Sequence, residues 1–255
     1  MEKIRILALQ YDTFWEQKEK NHEKVSSLIG SAPAADLIVL PEMFDTGFTM
    51  APEKWAEKHQ GPTLEWVQKI ARVHQSAVCA TWPVEVNNTY YNRLYFVFPE
   101  GNYVYYDKRH LFSYGKEDLH YSPGQSLASV NYRGWNINLY TCYDLRFPVW
   151  MRNTQRADLY LIPANWPDTR INQWSCLLRA RAIENQVYVV GVNRVGKQVG
   201  GLQYNGASAI IDYSGKVMKE HFDEEAALYA VIEKGELDTF RSNFPFLQDR
   251  DDFEM

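Results

Sequence analysis

The sequence predicts an α/β fold, and three observations carry that prediction. Short apolar runs recur along the 255 residues: IRILALQ, DLIVLP, AVCATWPV, LYFVF, YVYYD, INLYTC, LYLIPAN, VYVVGVN and SAIIDY. Many of these runs are continuous rather than alternating, which suits strands covered on both faces. Between some of them lie stretches with helical periodicity, and strands that alternate with helices mark an α/β chain.

The opening MEKIRILALQYD reads as a first strand; its acidic second residue and short apolar run argue against a signal peptide. Residues 16–30 make a first helix, and DLIVLP a second strand. PTLEWVQKIARVHQS then sets Leu64, Val67, Ile70 and Ala71 on one stripe, with Pro62 suited to a first helical turn. Three strand-like runs follow before INLYTC. QWSCLLRARAIENQ is a further helix, with Trp174, Leu177 and Leu178 at helical spacing. ADLIVLPEMF (35–44) and ADLYLIPANW (157–166) echo each other. Two similar halves packed sheet against sheet would explain the echo, and so would chance combined with the common pattern of a buried strand ending in proline. No linker rich in Gly, Ser or Pro divides the chain, so residues 1–255 read as a single domain, with an irregular tail from about residue 234.

A chain of this length buries roughly 70–75% of its unfolded surface. It is 45% hydrophobic and 15% aromatic, the composition of a packed protein. The net charge of −5 is spread along the chain without a basic stripe, which argues against nucleic acid as a partner. No apolar run approaches the ~20 residues that span a bilayer. Three cysteines without a CxxC pair argue against a disulfide framework or zinc knuckle, and place the protein in a reducing cytoplasm.

The stretch from Trp135 to Tyr140 alternates like a strand, and Cys142 follows it just before a turn through Tyr143, Asp144, Arg146 and Pro148. Glu42, Lys108 and Asn165 likewise end DLIVLPE, NYVYYDK and LYLIPAN. In α/β sheets ligands bind beyond the carboxyl ends of strands. A thiol that attacks a carbonyl, a carboxylate that takes its proton and a cation that steadies the oxyanion suffice for acyl transfer. Singly, each has a plain structural reading: Glu42 as a solvated strand end, Lys108 as part of a surface charge cluster, Cys142 as core. Cys79, inside an apolar strand, and Cys176, inside a helix, fit the core reading well. Cys142 fits it less well, because polar and turn-forming residues follow at once. The coincidence of three such strand tips favours a site.

In order and spacing, DLIVLPEMFDTGF, then YDKRHLF with a following Glu, Tyr and Pro-Gly, then LYTCYDLRFP resemble the nitrilase superfamily of carbon–nitrogen hydrolases. IPANWP, LLRARAIENQVYVVGVNRVG and YNGASAIIDYSG continue the match to about residue 234. CYDLRFP, ANWP and the short loop between Lys108 and Cys142 look most like its omega-amidase branch. The resemblance implies an αββα sandwich, a four-layer α/β fold with two sheets back to back and helices outside. It implies a catalytic set of Glu42, Lys108 and Cys142, with Glu117 as the second glutamate.

The implied reaction cleaves the terminal amide of small dicarboxylic monoamides, such as 2-oxoglutaramate or 2-oxosuccinamate, to the 2-oxo acid and ammonia through a Cys142 thioester. The backbone N–H of Tyr143 would join Lys108 in holding the oxyanion. Arg146 is the first candidate to grip the distal carboxylate, with Arg109 and Arg170 as rivals; a structural ion pair with Asp144 or a distant acid is the other reading of Arg146. Asn165, Trp166 and Phe44 complete the expected substrate-binding set, the two aromatic residues as pocket walls. No cofactor and no metal is expected, since the six histidines are scattered without an HxxxH or HExxH pair. The resemblance also implies a homodimer. The alternatives are another amidase or carbamoylase of the superfamily, a Cys–His hydrolase using His110 or His120, and a binding module that keeps the fold without turnover.

Overall fold

The continuous apolar runs become the inner strands of two sheets. The computed structural model describes residues 2–198 and 200–251. In chain order the strands are β1 (Lys3–Gln10), β2 (Leu37–Val39), β3 (Glu57–Lys58), β4 (Ala77–Val86), β5 (Thr89–Val97), β6 (Tyr103–Asp107), β7 (Ala128–Tyr132), β8 (Trp135–Leu139), β9 (Leu159–Ala164), β10 (Tyr188–Asn193), β11 (Val195–Lys197), β12 (Gln203–Ile211), β13 (Val217–Phe222) and β14 (Ala226–Glu233). The helices are α1 (Lys18–Ser31), α2 (Pro52–Trp55), α3 (Pro62–His74), α4 (Ile171–Asn185) and α5 (Lys234–Asn243). One sheet runs β14-β1-β2-β4-β5-β6 with β3 on β4, the other β11-β12-β10-β9-β8-β7 with β13 on β12. The pairings β1–β2, β2–β4, β8–β9 and β9–β10 are parallel. These strands are buried on both faces, which is why their sequences do not alternate.

Three layers of apolar contact produce the αββα sandwich. Ile4, Ile6, Val39, Cys79 and Phe96 of the first sheet meet Ile137, Leu139, Leu161, Val190 and Ile210 of the second. The opposite face of the first sheet, with Leu7, Ile38 and Val78, is covered by Val25 and Ile29 of α1 and by Leu64, Val67, Ile70 and Ala71 of α3, the stripe read from the sequence. The outer face of the second sheet, with Tyr160, Ile162 and Val189, is covered by Trp174, Leu178 and Ala182 of α4. Gly191 lets α4 sit close, because a Cβ there would lie 2.6 Å from a Leu178 methyl and 2.8 Å from the Trp174 ring. Trp174 Nε1 donates to the Ala207 carbonyl at 2.8 Å.

The two echoing segments are β2 and β9, each a parallel inner strand of its own sheet with parallel neighbours on both sides. Two expectations are overturned. The stretch from 234 is not irregular at its start: it forms α5, with Leu237 buried and the Arg241 guanidinium donating to the Asp158 carboxylate and to the Ala157 and Gln186 carbonyls. Those partners lie far away in sequence, so local patterning could not reveal them. Cys176 is exposed rather than core, because it falls on the solvent side of α4, off the stripe of Trp174 and Leu178. Among the described residues no helix is long and apolar enough to cross a membrane.

Candidate active site

The strand ends bring the polar residues together. Lys108 directly follows β6 and Asn165 directly follows β9, while Glu42 and Cys142 lie three residues beyond β2 and β8. The Glu42 N–H donates to the Ala164 carbonyl at 3.4 Å, so the tips of β2 and β9 cross between the sheets. Cys142 opens a 3₁₀ turn, Cys142–Arg146, with its own φ at +44°. Met43, next to Glu42, has φ +46°. Left-handed backbone at non-glycine residues is strained and persists only where the surroundings impose it. Here Asp144 helps impose it. Its carboxylate accepts from the Thr141 N–H (3.0 Å), the Tyr106 hydroxyl (2.8 Å) and the His110 N–H (3.0 Å), pinning the turn to the end of β6. The first i→i−3 bond of the turn runs from Asp144 N–H to the Thr141 carbonyl, which leaves the N–H groups of Cys142 and Tyr143 ahead of it without an intrahelical acceptor.

Behind Cys142 lies a closed ion network. Lys108 Nζ donates to Glu42 Oε1 at 2.8 Å and to Glu117 Oε1 and Oε2 at 3.0 and 2.8 Å. Asn92 Nδ2 bridges the same two carboxylates, at 2.8 Å to Glu42 Oε1 and 2.9 Å to Glu117 Oε1. Glu42 Oε2 accepts from the Asn165 N–H at 2.9 Å, and Glu117 Oε2 from the Phe112 N–H at 2.7 Å. The side chains of Glu42, Lys108 and Glu117 are 0% exposed. Lys116 and Asp118, the flanking charges, point outward, which settles which residue of KED faces Lys108.

Burial without partners would neutralise such charges. For Lys108 burial opposes the charged form, but the Glu117 and Glu42 carboxylates outweigh it and hold the ammonium above its ordinary range. Burial, aided by the neighbouring Glu42 charge, raises Glu117, and Lys108 opposes that rise. The Cys142 thiol is pushed well up by burial and by the Glu42 charge, with Lys108 pulling the other way. At rest Cys142 is therefore a thiol beside a carboxylate.

Of Glu42, Lys108, Glu117 and Cys142, only Cys142, 7% exposed, lies at the wall of a cavity of about 240 Å³. Phe48, Phe112, Tyr114, Trp166, Arg146 and Arg170 also line it, and no aspartate or glutamate does so among the described residues. Tyr143, Arg146, Asn165 and Trp166 are at the cavity as expected. Phe44 is not: it is fully buried beneath the first sheet, its ring 5.7 Å from that of Trp66. The wall expected of it is built by Phe48, whose ring is 5.2 Å from Lys108 Nζ. Asn165 turns its amide nitrogen to the Glu42 carbonyl at 2.6 Å, so that donor positions the carboxylate. Arg109 points away to the Gly124 carbonyl and Gln125. His110 pairs with Asp144 at 2.8 Å and stacks on Phe147, which removes it as a base for the thiol.

A family model described as carbon–nitrogen hydrolase matches residues 5–241. The chain belongs to this family. Among carbon–nitrogen hydrolases it is 38% identical over 254 residues to an omega-amidase, YafV, of Yersinia enterocolitica, with 99% of each chain covered. It is 33% identical to the 2-oxoglutaramate amidase of Bacillus subtilis, with 97% of each covered. Of solved structures, XC1258 from Xanthomonas campestris, a CN-hydrolase superfamily protein with an arsenic adduct in its active site, matches with a TM-score of 0.97 and 39% identity over 100% of both chains. Sequence reasoning missed Asn92, the bridge between the two carboxylates of this carbon–nitrogen hydrolase. The signal was present: a polar Asn-Arg pair interrupts the otherwise apolar run of β5. Phe48, Tyr114 and Tyr204 sit in a loop, a short 3₁₀ turn and at a strand start, where side-chain direction has no local signature.

Proposed function

We propose that the protein is an omega-amidase that hydrolyses the terminal amide of four- and five-carbon dicarboxylic monoamides, the 2-oxo forms included, through a thioester on Cys142. The names of the relatives at 38% and 33% identity support this reading. The observation that carries it is the buried Glu42–Lys108–Glu117 network behind a thiol, at the base of a cavity that bears two arginines.

Cys142 Sγ attacks the amide carbon while its proton passes to Glu42, so no free thiolate accumulates. The oxyanion is held by the Lys108 ammonium and the Tyr143 N–H; one such donor commonly contributes ~10²–10³ in turnover. Glu42 returns the proton to the leaving nitrogen and ammonia departs. Water, deprotonated by Glu42, then attacks the thioester, and the thiol regains its proton as the acid is released. Glu117 keeps Lys108 charged and fixed. Asn165 Oδ1, buried and without a hydrogen-bond partner among the described residues, is an acceptor for the substrate's amide N–H.

The three free cysteines fit a reducing cytoplasm, and the family resemblance supports a homodimer. Ammonia release from glutaramate, succinamate, their 2-oxo forms, free amino-acid amides, nitriles and carbamoyl amino acids tests the reading. The dicarboxylic monoamides are expected to lead; equal rates on a neutral amide of the same length would defeat it.

A further inference from the structure

Both Arg146 and Arg170 line the cavity that Cys142 opens into. Their guanidinium groups differ in what already occupies them. Arg146 donates to Gln173 Oε1 at 2.5 Å and lies over the rings of Trp166 at 4.8 Å and Tyr143 at 5.8 Å. It is held as part of the wall. Arg170 has no side-chain hydrogen bond or ion pair among the described residues; its one ring contact is Phe112 at 5.4 Å. Its backbone carbonyl is engaged instead, accepting from Trp166 Nε1 at 2.9 Å, so the main chain is fixed while the fork is unspent.

Two further features raise the positive potential at the same place. Arg170 is the N-cap residue of α4, a helix of fifteen residues with no acidic side chain in its first turn. Its first N–H groups and the positive end of its dipole therefore begin at the residue that carries the guanidinium. The cavity lining contributes no carboxylate to oppose either charge among the described residues.

We infer that Arg170 is the residue that grips the distal carboxylate of the substrate, with Arg146 as the fixed wall beside it. The inference rests on the omega-amidase reading above and specifies how that site selects its substrate. A carboxylate is matched by a planar fork able to donate twice, and a fork without an internal partner loses no existing bond when it turns to the ligand. Two guanidiniums and no acid also disfavour an α-ammonium, so the free amino-acid amides glutamine and asparagine are excluded by like charge.

The test compares kcat/KM on glutaramate with that on pentanamide, the neutral amide of the same length, for the wild type, Arg170→Gln, Arg170→Lys and Arg146→Gln. Wild type is expected to favour glutaramate by about 10- to 100-fold, the value of a charge-assisted contact. Arg170→Gln should bring that ratio close to one through a raised KM on glutaramate, Arg170→Lys should restore part of it, and Arg146→Gln should keep most of it. A binding readout runs beside it: glutarate should protect Cys142 of the wild type from iodoacetamide, followed on the Cys142 peptide by mass spectrometry, and should fail to protect Arg170→Gln. Thermal melts of all variants report folding, which Arg170→Gln should preserve because the side chain has no internal partner. A wild-type ratio and glutarate protection that both survive in Arg170→Gln overturn the assignment and leave the amidase reading standing, with loss in Arg146→Gln naming the residue responsible. A wild type that does not distinguish the two amides defeats the substrate reading itself, and the role of Arg170 with it.

Discussion

Cys142 and Cys176 have exchanged the roles that local sequence suggests for a buried and an exposed thiol. Cys176 is open to solvent on α4, whereas Cys142 is nearly buried and kept protonated by its surroundings. Iodoacetamide is therefore expected to label both, but only the Cys142 adduct abolishes turnover. Cys176→Ser should keep full activity and Cys142→Ala should fold normally and have none, with ammonia release as the measurement. If the proton passes to Glu42 as the sulfur attacks, as proposed, Glu42→Gln should lose about 10²–10⁴ in kcat while retaining substrate binding. Asn92 holds the two carboxylates in register about one ammonium without touching the reacting atoms. Asn92→Ala should lower kcat roughly 10- to 100-fold, the value of a hydrogen bond to a charged group, with KM little altered. A KM effect of the same size would place Asn92 in substrate binding instead.

Between the elements, close packing and one half-buried histidine contribute to the stability. Gly191 of β10 is the point where α4 rests on the second sheet. Gly191→Ala inserts a methyl where none fits and should cost about 1–3 kcal/mol, read as a lower denaturation midpoint. On the other side of the sandwich, His22 of α1 stacks on Trp66 of α3 at 4.3 Å. Burial, with the nearby Lys18 charge, lowers its pKa from 6.5 to about 4. The folded form therefore holds His22 neutral, and the unfolded chain binds its proton more readily. The sign follows: the stability due to neutral His22 is complete above about 6.5 and drains away as the pH falls towards 4. Asp45, 4.0 Å away and raised to about 6 by burial, contributes in the opposite sense over part of that range. His22→Gln removes the first effect and leaves the second. Its melting temperature relative to wild type should thus rise steadily between pH 6.5 and 4; parallel curves would show that His22 does not titrate there.

The whole molecule builds its site from both halves of the sandwich. The first sheet supplies Glu42, Asn92 and Lys108, the second Cys142 and Asn165, and the tips of β2 and β9 touch where they meet. Any slip of one sheet against the other would separate Glu42 from Cys142, so the proposed chemistry depends on the inter-sheet core as stability does. Large apolar side chains remain exposed, among them Tyr114 at 85%, Leu119 at 72% and Phe246 at 61%. A second copy related by a two-fold axis would cover surface of this kind. Light scattering at micromolar concentration is expected to give twice the 29.8 kDa chain mass, and a stable species at the chain mass would contradict the dimer.

Much of this was legible in the sequence because it is local. Buried parallel strands need continuous apolar residues, and a polar residue just past such a run is marked by contrast, which is how Glu42, Lys108, Cys142 and Asn165 stood out. The same periodicity placed α1, α3 and α4. What the tertiary structure alone decided concerns direction and long-range partners. Phe44 and Phe48 lie in one loop, and spacing cannot say which faces the core; the left-handed backbone at Met43 (φ +46°) and Gly47 (φ +73°) turns Phe44 under the sheet and Phe48 to the cavity. The helix at 234–243 exists because Asp158, Ala157 and Gln186 receive Arg241 across the fold. Arg146 and Arg170 are equivalent as letters, and they part company only once Gln173 is seen to hold one by a hydrogen bond, while the other has a ring contact but no side-chain hydrogen bond or ion pair among the described residues. A strand-end residue is placed by its own neighbours in sequence, whereas a pocket wall is placed by whatever the rest of the chain packs against it.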